Sequence, residues 1–591
     1  MALTYEDVKN WGFISNQITA SLIDRNGEVL WLCLPTFESG AVIAYLLDEN
    51  SGGRFYLKPS QQFISSQKYT APNVLTTEFK TDEGTAEVTD FLVPGKNMLI
   101  RNMKSDIELE FRMNPVFNFG NSQINKWERD GLFIFDDKKS GGRLIVKIDH
   151  NNIKRVDDQT FRIGKGDGRI ILSYYESSAL SELSAEKDSL KNVSGYLEIA
   201  TKKWETKLRN KSFNSLVSDD DRLSMLFKTS VSTILGMVYS LTGAIIAAPT
   251  TSLPETPGGN RNWDYRYMWV RDSSMMTSAL CDVGFTTQSR RTIEFLFNLI
   301  DYSSKPFYTM YRINGNKMYG ERFVENLKGF MGSKPIRVGN RATNQLQLDV
   351  EGEFLDALYH YFLKTKDVEF IKSNIKAVEY IADWVSKNWQ LNDSGIWEGV
   401  EDMDHTHSKV MMWVALDRAA KLVEASGGKD VWTDTRQEIK DWVYANCTGG
   451  GYFNTYPDSG VLDATILTFL IYGFLDKEDK VFLNSLKRLE KTLIKEGFVY
   501  RYLNDSMGEE RQAFSLCSTW LSSVYGRISR TNDAKKVLSD LAAVSGPLGL
   551  IGEDVDVKSK IFTGNFPQGF AHAGYIRAFM DLNADRSVYY P

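Results

Sequence analysis

Near residue 180 the spacing of apolar residues changes from two to between three and four, and one layer of secondary structure cannot satisfy both periods. Upstream, Leu75, Thr77 and Phe79 alternate with polar neighbours, Asp82-Glu83-Gly84 supplies a turn, and Ala86, Val88 and Leu92 resume the alternation as a hairpin. Leu144, Val146 and Ile148 repeat the pattern. Phe161 and Ile163 are expected to pair with Ile170, Leu172 and Tyr174 across the turn at residues 164–168. Strands with one buried face assemble into an antiparallel β-sandwich.

Downstream the pattern is helical almost to the end. Ile371, Ile375, Val378, Ile381 and Val385 form one apolar stripe. Similar segments run from Ser408 to a stop at Gly427-Gly428, and from Leu462 to Leu475. The apolar stretch Val231–Ala248 is expected to be a buried helix ending near Gly243. About a dozen helices in such a length suit a large helical toroid better than a four-helix bundle. The expected organisation is a β-sandwich over 1–180, a Lys/Glu-rich helical linker over 181–215 and a helical domain over 216–591.

A chain of 591 residues with 42% apolar side chains has ample material for such cores, and its net charge of −6 gives no pull toward nucleic acid or an anionic membrane. The four cysteines lie far apart, form no C-x-x-C pair, and read as buried free thiols. The start, MALTYEDVKNWGF, has neither the basic residues nor the apolar run of a secretory signal, which points to the cytoplasm. A homo-oligomer is compatible with this composition.

Two carboxyl groups brought together from separate loops can serve as general acid and general base on a bound neutral substrate. Four clusters place acids, arginines or aromatic rings beside turn residues. They are Gly258–Asp272 with Trp263, Asp264, Arg266, Trp269, Arg271 and Asp272; Pro335–Asn340 with Arg337; Gly395-Ile396-Trp397-Glu398; and Gly552-Glu553-Asp554 followed by Gly564–Gln568. His405 and His407 form an H-x-H without a third ligand at a plausible spacing, so no metal is expected. Glu351 and Glu353 open a helix with a clear apolar face and read as structural. No phosphate loop, nucleophile elbow or dinucleotide fingerprint is present, and no cofactor is expected.

With the segments Gly12–Ser39 and Ala248–Glu255, these clusters resemble glycoside hydrolase family 15, which holds glucoamylases, glucodextranases and prokaryotic-type trehalases. The resemblance covers nearly the whole chain and implies an N-terminal antiparallel β-sandwich followed by an (α/α)6 barrel. It implies Glu398 as general acid and Glu553 as general base, although Asp554 competes for the second role. It also implies Arg271 and Asp272 on the outer hydroxyls of the terminal glucose, with Trp269 and Trp397 beside them and Arg337 in a further sugar-contacting loop.

The substrate implied is a small oligosaccharide or disaccharide. Maltooligosaccharides or short α-glucans come first, attacked from the non-reducing end with release of β-glucose, and α,α-trehalose second. A disaccharide phosphorylase would need no base, and a non-catalytic regulator built on the same barrel would need neither carboxylate. The presence of Glu398, Glu553 and the Arg271-Asp272 pair counts against both.

Overall fold

The structure is a computed structural model that describes residues 3–191, 193–209, 213, 216, 218–399, 401–503 and 512–583. Sixteen strands precede residue 176: β1 (Trp11–Ser15), β2 (Ala20–Asp24), β3 (Val29–Cys33), β4 (Ala41–Ile43), β5 (Arg54–Pro59), β6 (Ile64–Ala71), β7 (Val74–Thr81), β8 (Gly84–Leu92), β9 (Met98–Ser105), β10 (Leu109–Asn114), β11 (Ile124–Arg129), β12 (Leu132–Asp137), β13 (Arg143–Asp149), β14 (Ile153–Arg155), β15 (Thr160–Ile163) and β16 (Gly166–Tyr175). They form an antiparallel eight-stranded sheet, β11-β12-β13-β16-β9-β8-β7-β6, and two four-stranded sheets, β14-β15-β10-β5 and β1-β2-β3-β4.

Period-two alternation splits the large sheet into two apolar faces. Phe79, Val88, Leu99, Val146 and Leu172 pack with Phe55, Leu57, Phe111 and Phe161 of the smaller sheets in one core. Their neighbours Ile100, Ile145 and Ile171 point the other way. There they are covered by Leu183 and Leu190 around helix α1 (Leu183–Ser189), Val193, and Ala200 of α2 (Tyr196–Lys207). The linker segment is therefore a third layer, since burying each of these side chains contributes roughly 1.5–3 kcal/mol. The expected linker boundary at 215 falls on residues outside those described, as do the last residues of the chain.

The hairpin β7–β8 pairs as the alternation predicts, with Thr81 opposite Gly84. The pairing expected across residues 164–168 does not occur. β15 joins β10 and β14 in one sheet, while β16 pairs with β13 and β9 in the other. Those residues carry the chain between layers because Phe161 already has Phe111 as its cross-strand partner.

Twelve further helices are described, in six consecutive pairs: α3 (Asp221–Met237) with α4 (Val270–Asp282), α5 (Thr286–Phe297) with α6 (Val350–Thr365), α7 (Val368–Asn388) with α8 (Thr406–Ala425), α9 (Thr433–Asn446) with α10 (Ile466–Ile471), α11 (Lys480–Thr492) with α12 (Ser515–Arg527), and α13 (Thr531–Val544) with α14 (Gly569–Asn583). The second helix of each pair touches the second helix of the next, and α14 returns to α4, closing an inner ring of six within an outer ring. Composition decides which ring a helix joins. α12 buries Ser515 through Gly526 on every side, its serines allowing close approach. α7 buries only one stripe, including Ile371, Val378, Ile381 and Val385.

α3 stops at Met237, short of the expected Gly243. There Tyr239 donates to the carbonyl of Ala244 and Gly243 to that of Tyr239, a tight reversal that requires Gly243 at φ +94°. This (α/α)6 arrangement sends every connection from an outer to an inner helix to one end of the barrel. No described helix is long and apolar enough to cross a membrane.

Candidate active site

The cavity lies at that end. It is lined from Ala247 to Asp272, from Asn340 to Gln345, from Ile396 to Gly399, at Arg501, Tyr502 and Phe514, and by Phe570 at the start of α14. Inner-helix N-termini therefore surround it, and their unpaired backbone N–H groups favour negative charge there.

Glu398 follows the turn at Gly395, which takes φ +62° and whose Cα has the His405 ring packed against it. Glu398 itself sits at φ +58°, a left-handed conformation that costs a non-glycine residue on the order of 1–3 kcal/mol and tends to be stored at functional sites. Its Oε1 accepts from Trp269 Nε1 at 2.8 Å and from Arg271 Nη2 at 3.4 Å. Oε2 has no hydrogen-bond partner among the described residues. The side chain is 29% exposed, toward the cavity it lines. Trp397 lines the same wall, donating to Asp463 at 3.0 Å with its ring among Tyr502, Phe514 and Trp520.

Arg271 and Asp272 open α4. Arg271 is held by Gln347 at 2.7 Å and Asp349 at 3.2 Å, and it lies 3.7 Å from Asp272. Burial pushes the Asp272 carboxyl up to about 7, opposed by the Arg271 charge. Both line the cavity together with Trp269.

Glu553 is fully buried. Its Oε1 accepts from the Tyr265 hydroxyl at 2.7 Å and its Oε2 from the backbone N–H of Asn565 at 2.9 Å. Burial first, then the charge of Glu255, raises its carboxyl to about 8. The Tyr265 ring stands edge-on to Trp269 at 5.4 Å, so one aromatic pair joins the residue bonding Glu553 to the residue bonding Glu398. Tyr265 lies within the first sequence cluster, and its only signal there was its place four residues before Trp269.

The neighbouring residue Asp554 is also fully buried. Glu255, Glu553 and Asp554 offer oxygens within 4.8 Å of one another, a group that could hold a cation. Glu255 is already paired with Arg501 at 2.5 Å and Arg261 at 3.3 Å, which hold its carboxyl below the ordinary range despite burial.

Arg337 is placed differently from its expected position on a sugar. Its guanidinium donates to Glu321 at 2.7 Å and to the carbonyls of Asn262 and Asn260 at 3.1 and 3.3 Å. It lies 4.4 Å from the Trp263 ring centre, and Trp263, not Arg337, faces the cavity. Asp264 and Arg266 are bonded to each other at 2.8 and 2.7 Å, with Arg266 also reaching the carbonyl of Ser39 in the sandwich. Glu353 receives the Tyr472 hydroxyl, away from the cavity. His407 is buried with neither ring nitrogen bonded among the described residues.

The overall fold matches a crystal structure of a bacterial glucoamylase complexed with acarbose, with a TM-score of 0.73 over 97% of this chain and 93% of that one, at 14% identity. Along the sequence the chain is similar to Trehalase 1 of Sulfolobus acidocaldarius, at 39% identity over 97% of this chain and 99% of the relative. It is also similar to Trehalase 2 of the same organism, at 34% over 98% and 100%, and to a trehalase of Mycobacterium tuberculosis, at 30% over 98% and 90%. A chain with this barrel and these relatives is a glycoside hydrolase. Residues 221–580 match the model of glycosyl hydrolases family 15, residues 5–140 match a trehalase-like N-terminal model, and the protein belongs to glycosyl hydrolases family 15.

Proposed function

We propose that the protein hydrolyses α,α-trehalose with inversion, using Glu398 as general acid and Glu553 as general base. The observation that carries the substrate is the likeness to trehalases along both domains, 39% over nearly the full length of each chain for Trehalase 1. The sequence reading places short α-glucans first although both kinds of enzyme share the motifs, and this likeness supports the reverse order.

Glu398 lines the cavity, and Glu553 lies buried behind it on the hydroxyl of the lining residue Tyr265. One glucose ring sits against Trp269 and Trp397, its outer hydroxyls shared between Arg271 and Asp272. Glu398 Oε2 gives its proton to the bridging oxygen as the C1–O bond breaks. Glu553 takes a proton from water as the water oxygen bonds to C1 from the opposite face. The hydrogen bonds from Tyr265 and the Asn565 N–H favour the ionised base, whereas burial disfavours it. Four buried cysteines without a disulfide support a place in the reducing cytoplasm.

A proton NMR time course on trehalose, run before mutarotation, tests both halves of the reading. The expected products are one α-glucose and one β-glucose per substrate, with maltotriose and isomaltose turned over far more slowly. Two α-glucose molecules would rule out inversion, and preference for maltotriose would restore α-glucans to first place.

A further inference from the structure

The sandwich domain reaches into the base's surroundings through one side chain. Tyr5 begins a short 3-10 helix, Tyr5–Asn10, and is 2% exposed. Its hydroxyl donates to the carbonyl of Pro254, whose neighbour is Glu255, and accepts from the N–H of Gly564 at 3.2 Å. The same N–H also points at the Pro254 carbonyl, 3.1 Å away. Gly564 lies against the base itself, since a Cβ there would sit 2.4 Å from Glu553 Oε2. The next residue, Asn565, donates its N–H to that oxygen and accepts from the Glu553 N–H at 3.3 Å. Tyr5 thus pins together the two loops that hold Glu255 and Glu553, from a domain contributing nothing to the cavity wall.

We propose that Tyr5 is a positioning residue for Glu553, fixing Gly564 and Asn565 so that the Asn565 N–H stays aimed at the carboxylate. Burial first, and then the charges of Glu553, Asp554 and Glu255, hold the hydroxyl well above its ordinary range, so it stays protonated and able to donate. The ring is held independently, edge-on to Phe330 at 4.7 Å, so loss of the oxygen leaves the packing intact. The groups facing Glu553 are Tyr265, Glu255 and Asp554, with Arg501 and Arg261 behind Glu255. The hydrogen bonds that Glu553 accepts from Tyr265 and Asn565 do not involve the Tyr5 oxygen.

The inference rests on Glu553 being the base. Tyr5→Phe is compared with wild type, with Glu553→Gln and with Trp11→Phe. Trp11 packs the same N-terminal segment against Phe330 and Phe566 without bonding Pro254 or Gly564. For Tyr5→Phe, kcat on the substrate wild type turns over is expected to fall about tenfold with KM within about twofold. The acid limb of kcat/KM should move to higher pH, because the carboxylate loses support for its charged form. Trp11→Phe should lower Tm and leave the limb in place. A Tyr5→Phe enzyme with wild-type kcat and pH profile overturns the proposal, as does a Trp11→Phe shift of equal size, or a Tyr5→Phe enzyme that loses Tm alone or fails to fold where Trp11→Phe folds. An active Glu553→Gln would instead overturn the base assignment.

Discussion

Tyr265 and Trp269 meet edge to face at 5.4 Å, and each spends its polar atom on a different candidate catalytic carboxylate, Glu553 and Glu398 respectively. Four residues apart on the segment entering α4, they link the two acids although these are 155 residues apart in the chain (553 − 398). Aromatic pairs of this kind contribute about 0.5–1.5 kcal/mol beyond burial and resist sliding.

Removing only the hydroxyl, as in Tyr265→Phe, leaves that ring contact and deletes one hydrogen bond to a buried carboxylate. We expect kcat to fall about 10–100-fold with little change in KM, since the lost interaction matters most when Glu553 is charged. Steady-state kinetics on trehalose checks it; an unchanged kcat would mean Glu553 does not need the phenol.

Replacing each acid by its amide separates the two roles. Glu398→Gln and Glu553→Gln should each lose about 10²–10⁴-fold in kcat on trehalose. With α-glucosyl fluoride, whose leaving group needs no proton, Glu398→Gln should recover most of its activity and Glu553→Gln should not. The reverse pattern would exchange the assignments.

Stability carries an independent signature of the buried Glu553 carboxyl. Glu553 has a folded-state value of about 8, above the roughly 4.3 of an unfolded glutamate. The stability linked to its protonated form is therefore complete below about pH 4.3 and lost as pH rises through 8. Glu553→Gln has no such loss. Its advantage in thermal or urea unfolding should be small at pH 4.5 and grow to on the order of 2–4 kcal/mol by pH 8. Asp272 and Glu351, also raised by burial, are common to both proteins and cancel in the difference. A difference independent of pH would mean that burial does not raise the Glu553 carboxyl in the folded state.

Much of this was legible in the sequence because it depends on local periods. Ile371, Val378, Ile381 and Val385 declare a helix with one buried face, and Thr81 opposite Gly84 follows from a two-residue turn. The motif register located Glu398, Trp269, Arg271 and Asp272 on one cavity. What escaped depends on which layer a segment joins. Phe161 and Ile170 alternate as a hairpin should, yet they belong to different sheets, because their partners Phe111 and Ile148 are non-local residues that a short window of sequence does not contain. Tyr5 was invisible for the same reason, its hydroxyl finding Gly564 across 559 residues.

Two arginines expected on the sugar should behave differently when changed to lysine. Arg271 lines the cavity with Gln347, Asp349 and Glu398 around its fork, geometry a lysine cannot reproduce. Arg271→Lys should lower kcat/KM about 100-fold or more, largely by removing a bidentate hold on the glucose hydroxyls. Arg337 spends its whole guanidinium on Glu321 and two carbonyls beneath Trp263. Arg337→Lys loses two or three buried hydrogen bonds, at about 1–3 kcal/mol each for a charged donor, so Tm should drop. Its KM should rise by less than about tenfold, because Trp263 remains on the wall but less firmly held. Measuring Tm and kcat/KM for both variants decides it: an Arg337→Lys enzyme with wild-type Tm and a collapsed kcat/KM would put that guanidinium on the substrate after all.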